Sequence, residues 1–546
     1  MALSFPACKI LGQIPAYRET NNSLQANAQP YEVRREQPYP KTLIDTATRE
    51  RSRVTRSLDS VFGLATAWRP EDVAKRNRSK LERALGRPIK RPDDKTHPIH
   101  ADPFPDIDVI LALSGGGHRA ANLSSSVMFE LSRLEVAAPN GRQVTLLDTV
   151  DTISSVSGGG FAAAFYIYHR STMEGNTDSG KAEYHRDLIE VGMRENISRR
   201  LLNALIVPTK ISFWIRGFTR ANRTNLYSNL LEYRIIRPNR IESLEATIYP
   251  SWWRERPVIY HTTTALLDLF WLFSPATPDD QYLFGVPART FDDLFLRDPD
   301  NPNQLYPLRP EWLINATSYN EPVERNQLLF DADTFNRLGS DWMAYRVSDA
   351  VASSAAFPVM FAPMALRNYR SDPKTWEFAF DGGVSDNQGM NGVRAALDRK
   401  PASHRAVVIM VDASPRSEAG PGENSDRPGG MAISNRALER YMGSVRDQSI
   451  EDLRSREDSG ELRFFHLSIQ PEEFGAPLTE EQKAAFEKAN HVPTALKISR
   501  GNQDTLFEVG RILIDRDREA IISALTEVTS PAQVHLPEKS PDGPES

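Results

Sequence analysis

Ile107-Asp-Val-Ile-Leu-Ala-Leu-Ser114 runs directly into Gly115-Gly116-Gly117-His118-Arg119, and Val150-Asp-Thr-Ile-Ser-Ser155-Val156-Ser157 runs into Gly158-Gly159-Gly160. Each is an apolar run breaking into a glycine turn ahead of a helical pattern. Ile107–Leu113 has the mostly apolar composition of a strand buried on both faces. Ala120–Leu134 carries Leu123, Val127, Leu131 and Leu134 on one helical side. Leu146–Ser154 reads as the next strand and Gly159–His169 as the next helix. Strand, helix, strand, helix at this spacing predicts an α/β unit with a parallel sheet.

Working outward, Trp312–Thr317, Phe378–Phe380 and Ala406–Val411 read as further strands, with Arg463–Ile469 as an edge strand. Asp349–Ala356, Ala432–Arg456, Thr479–Lys488 and Asp504–Leu525 read as helices. The expected division is an extended or disordered arm over 1–40 and a basic helical region over 41–105. A catalytic domain follows over 106–415, with an insertion at 196–307. After it come a mobile loop at 416–430, a C-terminal α/β part at 431–529 packing on the catalytic domain, and a disordered tail at 530–546. The insertion is rich in Phe and Trp around Phe213–Phe218 and Trp252–Phe273. It is either a second core over the sheet or a cap that lines an acyl-chain pocket or touches a membrane.

Composition narrows the function classes. With 546 residues, 40% hydrophobic and 25% charged, the chain can bury a sizeable core, and a net charge of −6 gives no global signal for nucleic acid. Cys8 is the single cysteine, which excludes an intramolecular disulfide and a thiolate metal cluster. No apolar run reaches the roughly 20 residues of a transmembrane helix, and the start lacks the features of a signal peptide. The expectation is a cytoplasmic or peripheral membrane protein with no obligate protein partner.

The turns carry the chemistry. Ser155-Val156-Ser157-Gly158-Gly159 has the G-x-S-x-G spacing of a strained strand-to-helix elbow, with Ser155 in the first glycine's place. Such an elbow exposes the Ser157 oxygen as a nucleophile. Gly115, Gly116 and Gly117 can turn amides toward a developing oxyanion, aided by the N-terminal end of the next helix. Arg119 either salt-bridges the loop in place or meets substrate. Asp381 follows the apolar Phe378–Phe380 and precedes Gly382 and Gly383. A desolvated carboxylate there could take the Ser157 proton directly.

Together, Gly115-Gly116-Gly117-His118-Arg119-Ala120, the Ser157 elbow and Asp381-Gly382-Gly383 resemble, in order, the motifs of the patatin-like phospholipase family. Ala352–Pro363, Ile314–Thr317 and Asp386-Asn387-Gln388-Gly389 are also similar to segments of that family. The resemblance implies a three-layer α/β/α patatin-like fold with a mainly parallel central sheet and a large helical insertion. It implies a Ser157–Asp381 dyad without histidine, no metal or other cofactor, and hydrolysis of a phospholipid or other acyl-ester lipid in the phospholipase A or lysophospholipase manner. Ser155 and Ala120 depart from the pattern, where it has glycine. Two alternatives stand beside it: a non-catalytic lipid-binding protein of the same fold, and a dinucleotide site on Gly115–Ala120, whose G-x-G-x-x-[GA] spacing also fits.

Overall fold

The computed structural model describes residues 102–173, 289–297, 304–416 (save 309, 359 and 374) and 430–526 (save 476). It also describes positions 21, 23, 30–33, 193, 224, 227–228, 231–236, 282–283 and 286–287. The basic region 41–101, the aromatic clusters Phe213–Phe218 and Trp252–Phe273, most of the loop 416–430, and the tail from 527 lie outside the described residues.

Eight strands form the central sheet. They are β1 (Ile107–Leu113), β2 (Thr152–Val156), β3 (Glu311–Ser318), β4 (Gln327–Leu329), β5 (Met364–Asn368), β6 (Thr375–Asp381), β7 (Arg405–Asp412) and β8 (Leu462–Ser468). Their order is β5-β6-β3-β2-β1-β7-β8, with β4 also against β3. From β3 through β8 every pairing is parallel, whereas β4, β5 and β6 pair antiparallel.

The parallel strands are buried on both faces because their successive side chains enter two different cores. Val109, Leu111 and Leu113 join Val407, Ile409 and Val411 in the larger core. Ile110 and Ala112 join Val408 and Met410 in the smaller one. The larger core is closed by helices α1 (Gly117–Leu131), α2 (Gly158–Met173), α4 (Val347–Ser354), α7 (Glu480–Asn490) and α8 (Arg500–Thr526). The smaller is closed by α5 (Met390–Arg399) and α6 (Gly430–Asp458). The short helix α3 (Ala332–Leu338) caps the edge near β5. The architecture is therefore three-layer α/β/α with a mainly parallel sheet. Among the described residues no helix is long and apolar enough to cross a membrane.

Two expectations are corrected. The segment Leu146–Ser154 is not one strand: Leu147–Thr149 forms a 3-10 turn, and β2 begins only at Thr152. Asp148 explains this, because its carboxylate accepts from the Thr145 hydroxyl at 2.8 Å and closes the local turn. The helix after the first glycine turn starts at Gly117 and stops at Leu131, rather than running from Ala120 to Leu134. Within the segment read as an arm, Glu32–Val33 pairs in parallel with Gln304–Leu305, and Asn21 bonds to the Ser340 hydroxyl and the Arg367 backbone.

Two features of the sheet fix where chemistry can occur. The chain builds β1, β2 and β3 outward on one side, then crosses to place β7 and β8 on the other side of β1. The carboxyl ends of β1, β2 and β7 therefore meet at a topological switch point, where open α/β sheets form their crevices. The second feature is on β3. Asn315 pairs with Val156 on one edge and with Leu329 on the other. Its neighbour Ala316 pairs with Leu328 and with Asp381. So β2 and β6 lie end to end along the same edge of β3, running toward each other and meeting at Val156 and Asp381.

Candidate active site

Ser157, the next residue after β2, takes φ of 48° and is the one non-glycine residue with positive φ among the described residues. That strain marks a tight elbow held by its surroundings. Gly158 is required by contact: a Cβ there would overlap the Gly117 carbonyl oxygen. A Cβ on Gly159 would come 2.5 Å from the Leu113 carbonyl oxygen. The two glycine turns thus pack directly on each other. The elbow is also held through its backbone. Ser157 N–H donates to Ser354 Oγ at 2.9 Å, and Ser354 in turn donates to the Asn315 carbonyl at 2.6 Å.

The first turn uses positive φ at Gly116 (135°) and Gly117 (58°). Its three amides are not equivalent. Gly115 N–H already donates to the Asn387 carbonyl at 2.9 Å, whereas those of Gly116 and Gly117 have no partner among the described residues. The turn is covered from the C-terminal side, where His118 N–H donates to the Ala495 carbonyl at 2.9 Å. Arg119 does not reach outward. It is 4% exposed and donates to the carbonyls of Ala413 and Val492, both at 2.8 Å. Burial lowers its pKa to about 10, with Asp412 pulling the other way. Of the two roles read for it, the loop-holding one matches this geometry, through carbonyls rather than a carboxylate.

Asp381 ends β6 and is 5% exposed. Ser157 Oγ donates directly to its Oδ2 at 3.4 Å, and Gly383 N–H donates to its Oδ1 at 2.8 Å. Its backbone is pinned by the Thr317 hydroxyl, which donates to the Asp381 carbonyl at 2.8 Å. Gly382 lies flat on β3, where a Cβ would come 2.5 Å from the Asn315 carbonyl oxygen. Burial lifts the Asp381 carboxyl to about 7, against the opposing hydrogen bonds from Gly383 and Ser157. A carboxylate titrating there is matched to general-base work at neutral pH. The serine–carboxylate distance is long for O–H···O, as is common in sites without substrate.

The two departures from glycine have separate explanations. Ser155 points into the larger core and its Oγ accepts the Trp312 indole N–H at 2.8 Å. The hydroxyl is thus a partner for a buried donor. Ala120 is fully buried, and its Cβ would sit 3.4 Å from a Cβ on Gly116, so the methyl fits beneath the turn without crowding it.

Several residues here carried no separate signal in the sequence. Asn315 donates to Ser154 Oγ and to the Ser155 carbonyl, and accepts from Gly392 N–H, tying β2, β3 and α5 beneath the elbow. Asn315 and Ser354 lie in segments read as a strand and a helix and noted for family likeness, with neither residue singled out. Tyr227, from the insertion, is buried against Phe361 and Phe161, and a lone tyrosine among polar residues gave nothing to mark it. Asp412, His466 and Glu473 bring ligand-type atoms within 4.8 Å of one another. Arg446 fills that role, since its guanidinium lies 2.6 Å from both Asp412 and Glu473.

No family model and no curated protein matches this chain. Among solved structures, the chain is similar to human GIVD cytosolic phospholipase A2, with a TM-score of 0.35 and 10% identity over 84% of this chain and 64% of that one. The same human enzyme in complex with methyl gamma-linolenyl fluorophosphonate and terbium chloride gives a TM-score of 0.31 at 11% identity. The chain thus spans less than two thirds of that protein's length, and overlays this loose assign no activity here.

Proposed function

We propose that this protein is a serine hydrolase of acyl esters, with lipid esters as the substrate class. The observation that carries the reading is Ser157 on a strained elbow, its hydroxyl bonded to a buried carboxylate that titrates at about 7. Ser157 Oγ attacks the ester carbonyl carbon while its proton passes to Asp381. The tetrahedral intermediate collapses, the bond to the leaving oxygen breaks, and Asp381 returns the proton to that oxygen. Water then attacks the acyl-serine as its proton passes to Asp381, the acyl–Oγ bond breaks, and Asp381 returns the proton to Ser157 Oγ as the acid leaves. The oxyanion is held by the amides of Gly116 and Gly117, with Gly115 holding the turn through Asn387. Arg119, Ser155, Gly158, Gly159, Gly382 and Gly383 support these groups.

The lipid preference rests on the order of three motifs that resemble the patatin-like phospholipases. The dinucleotide alternative on Gly115–Ala120 would want an acid at the end of the second strand, where this chain has Ser155-Val156-Ser157. Since β8 completes the same sheet as β1, the working unit is proposed to run from 106 through 526. Peripheral membrane contact by the insertion belongs to the same proposal.

The test is fatty-acid release from mixed phospholipid vesicles, with covalent labelling by a fluorophosphonate. Ser157→Ala and Asp381→Asn are each expected to cut release at least about 10³-fold in folded protein. The label should map to Ser157. Near-full activity in Asp381→Asn would overturn the dyad.

A further inference from the structure

Tyr227 is fully buried, yet among the described residues its hydroxyl has no hydrogen-bond partner. Buried hydroxyls are normally satisfied, and one left open costs stability that packing alone does not return. The ring is held firmly. It stacks on Phe361 at 4.7 Å and 15°, and meets Phe161 edge-on at 6.1 Å. Phe161 lies in the first turn of α2, immediately behind the Ser157 elbow, and its other side meets the His118 ring at 5.9 Å. The backbone on either side of Tyr227 is anchored as well. Thr224 donates to the Ala362 carbonyl at 2.5 Å, and Ser228 donates to Asp349 at 2.5 Å.

The phenol therefore stands on an aromatic wall behind the nucleophile, close enough to Asp381 to feel its charge. Burial first, and the Asp381 carboxylate second, keep it protonated well above the ordinary tyrosine range. At neutral pH such a group can only offer its hydrogen to an incoming acceptor or accept one itself.

We propose that Tyr227 is a third group of the active site, its hydroxyl donating to the leaving oxygen of the ester bound at Ser157. The inference rests on the hydrolase reading above. The leaving oxygen is assigned because Asp381 must return a proton to it, so it stands on the Asp381 side, where Tyr227 lies. The packing of Phe161 and Phe361 against the Tyr227 ring fixes where its hydroxyl stands. Proton donation by the phenol is not required. Its hydrogen bond lowers the charge building on the leaving oxygen before Asp381 delivers the proton.

The experiment compares wild type with Tyr227→Phe on two esters of one fatty acid, a p-nitrophenyl ester and a monoacylglycerol. p-Nitrophenolate leaves without help, whereas the glycerol alkoxide does not. Tyr227→Phe is expected to lose at least about tenfold in kcat/KM on the monoacylglycerol and under about threefold on the p-nitrophenyl ester. Its melting temperature should equal or exceed that of wild type, because only an unpartnered hydroxyl is removed. Unchanged hydrolysis of both esters, or equal losses on both, would overturn the proposal while the hydrolase reading stood. Wild type that neither cleaves an ester nor takes a fluorophosphonate at Ser157 would overturn both.

Discussion

At the scale of single residues, the proposed role of Asp381 as a base sets function against stability. Its carboxyl is raised by burial from 3.8 to about 7 in the folded protein. A raised pKa means that the folded state holds the proton more tightly than the unfolded chain. The associated stability is complete below about 4, and is lost as pH climbs through about 7. At pH 8 wild type therefore carries a buried, incompletely compensated charge. Asp381→Asn removes it while keeping an oxygen for Gly383 N–H and a donor for Ser157. The variant is expected to melt higher than wild type at pH 8, by the equivalent of about 2–4 kcal/mol, with the gap closing toward pH 4. Thermal melts of both proteins across that range check this. Activity runs the other way: ester hydrolysis by wild type should rise through about pH 7 as the base ionises. An activity that climbs while the melting temperature falls is the signature of a catalytic carboxylate in a dry site.

At the scale of elements, the elbow between β2 and α2 shows a departure from a motif that serves packing. Ser155 stands where a glycine is expected, but its side chain faces the larger core and satisfies the Trp312 indole N–H at 2.8 Å. Restoring the motif with Ser155→Gly is therefore expected to destabilise the protein by about 1–3 kcal/mol, since it orphans a buried donor. It should bring no gain in ester hydrolysis. Chemical denaturation alongside a hydrolysis assay measures both. Higher activity at equal stability would mean that the serine does impede the elbow. The strands and most helices of this region were legible from apolar runs and glycines. The turn at Leu147–Thr149 was not, because it depends on the Asp148 carboxylate closing on Thr145 rather than on hydrophobic period.

At the scale of the whole molecule, the C-terminal part locks onto the site through a buried charge network. Asp412, at the end of β7, is reached by Arg446 from α6 at 2.6 Å and by His466 from β8 at 3.2 Å, and Arg446 also bonds Glu473 at 2.6 Å. The next residues continue to the turn: Ala413 accepts from Arg119, and Ser414 accepts from the Asn387 side chain. Burial pushes the Asp412 carboxyl up, but Arg446 and His466 outweigh it and hold the group far below the usual range. A depressed pKa gives stability that is present above the ordinary carboxylate value and lost as pH falls below about 4. Arg446→Leu removes the guanidinium and leaves that buried carboxylate with His466 and the Ser414 N–H beside it. A loss of about 3–5 kcal/mol is expected at neutral pH, shrinking below pH 4, and urea melts at both pH values measure it.

The sequence by itself determined the α/β class, the three turns and the residue types on them, because strand burial, glycine freedom and small-residue elbows are local properties of the chain. Which atoms meet was decided by tertiary structure. Ser157 and Asp381 are brought together only because β2 and β6 share one edge of β3 and stop at consecutive positions, Asn315 and Ala316. The Gly115 amide is spent on Asn387, Arg119 turns inward to Ala413 and Val492, and Tyr227 packs on Phe161 from an insertion. Each of these depends on a register or a contact between segments far apart in the chain. Periodicity carries no record of such contacts, since it reports which face of an element is buried and not what lies against it.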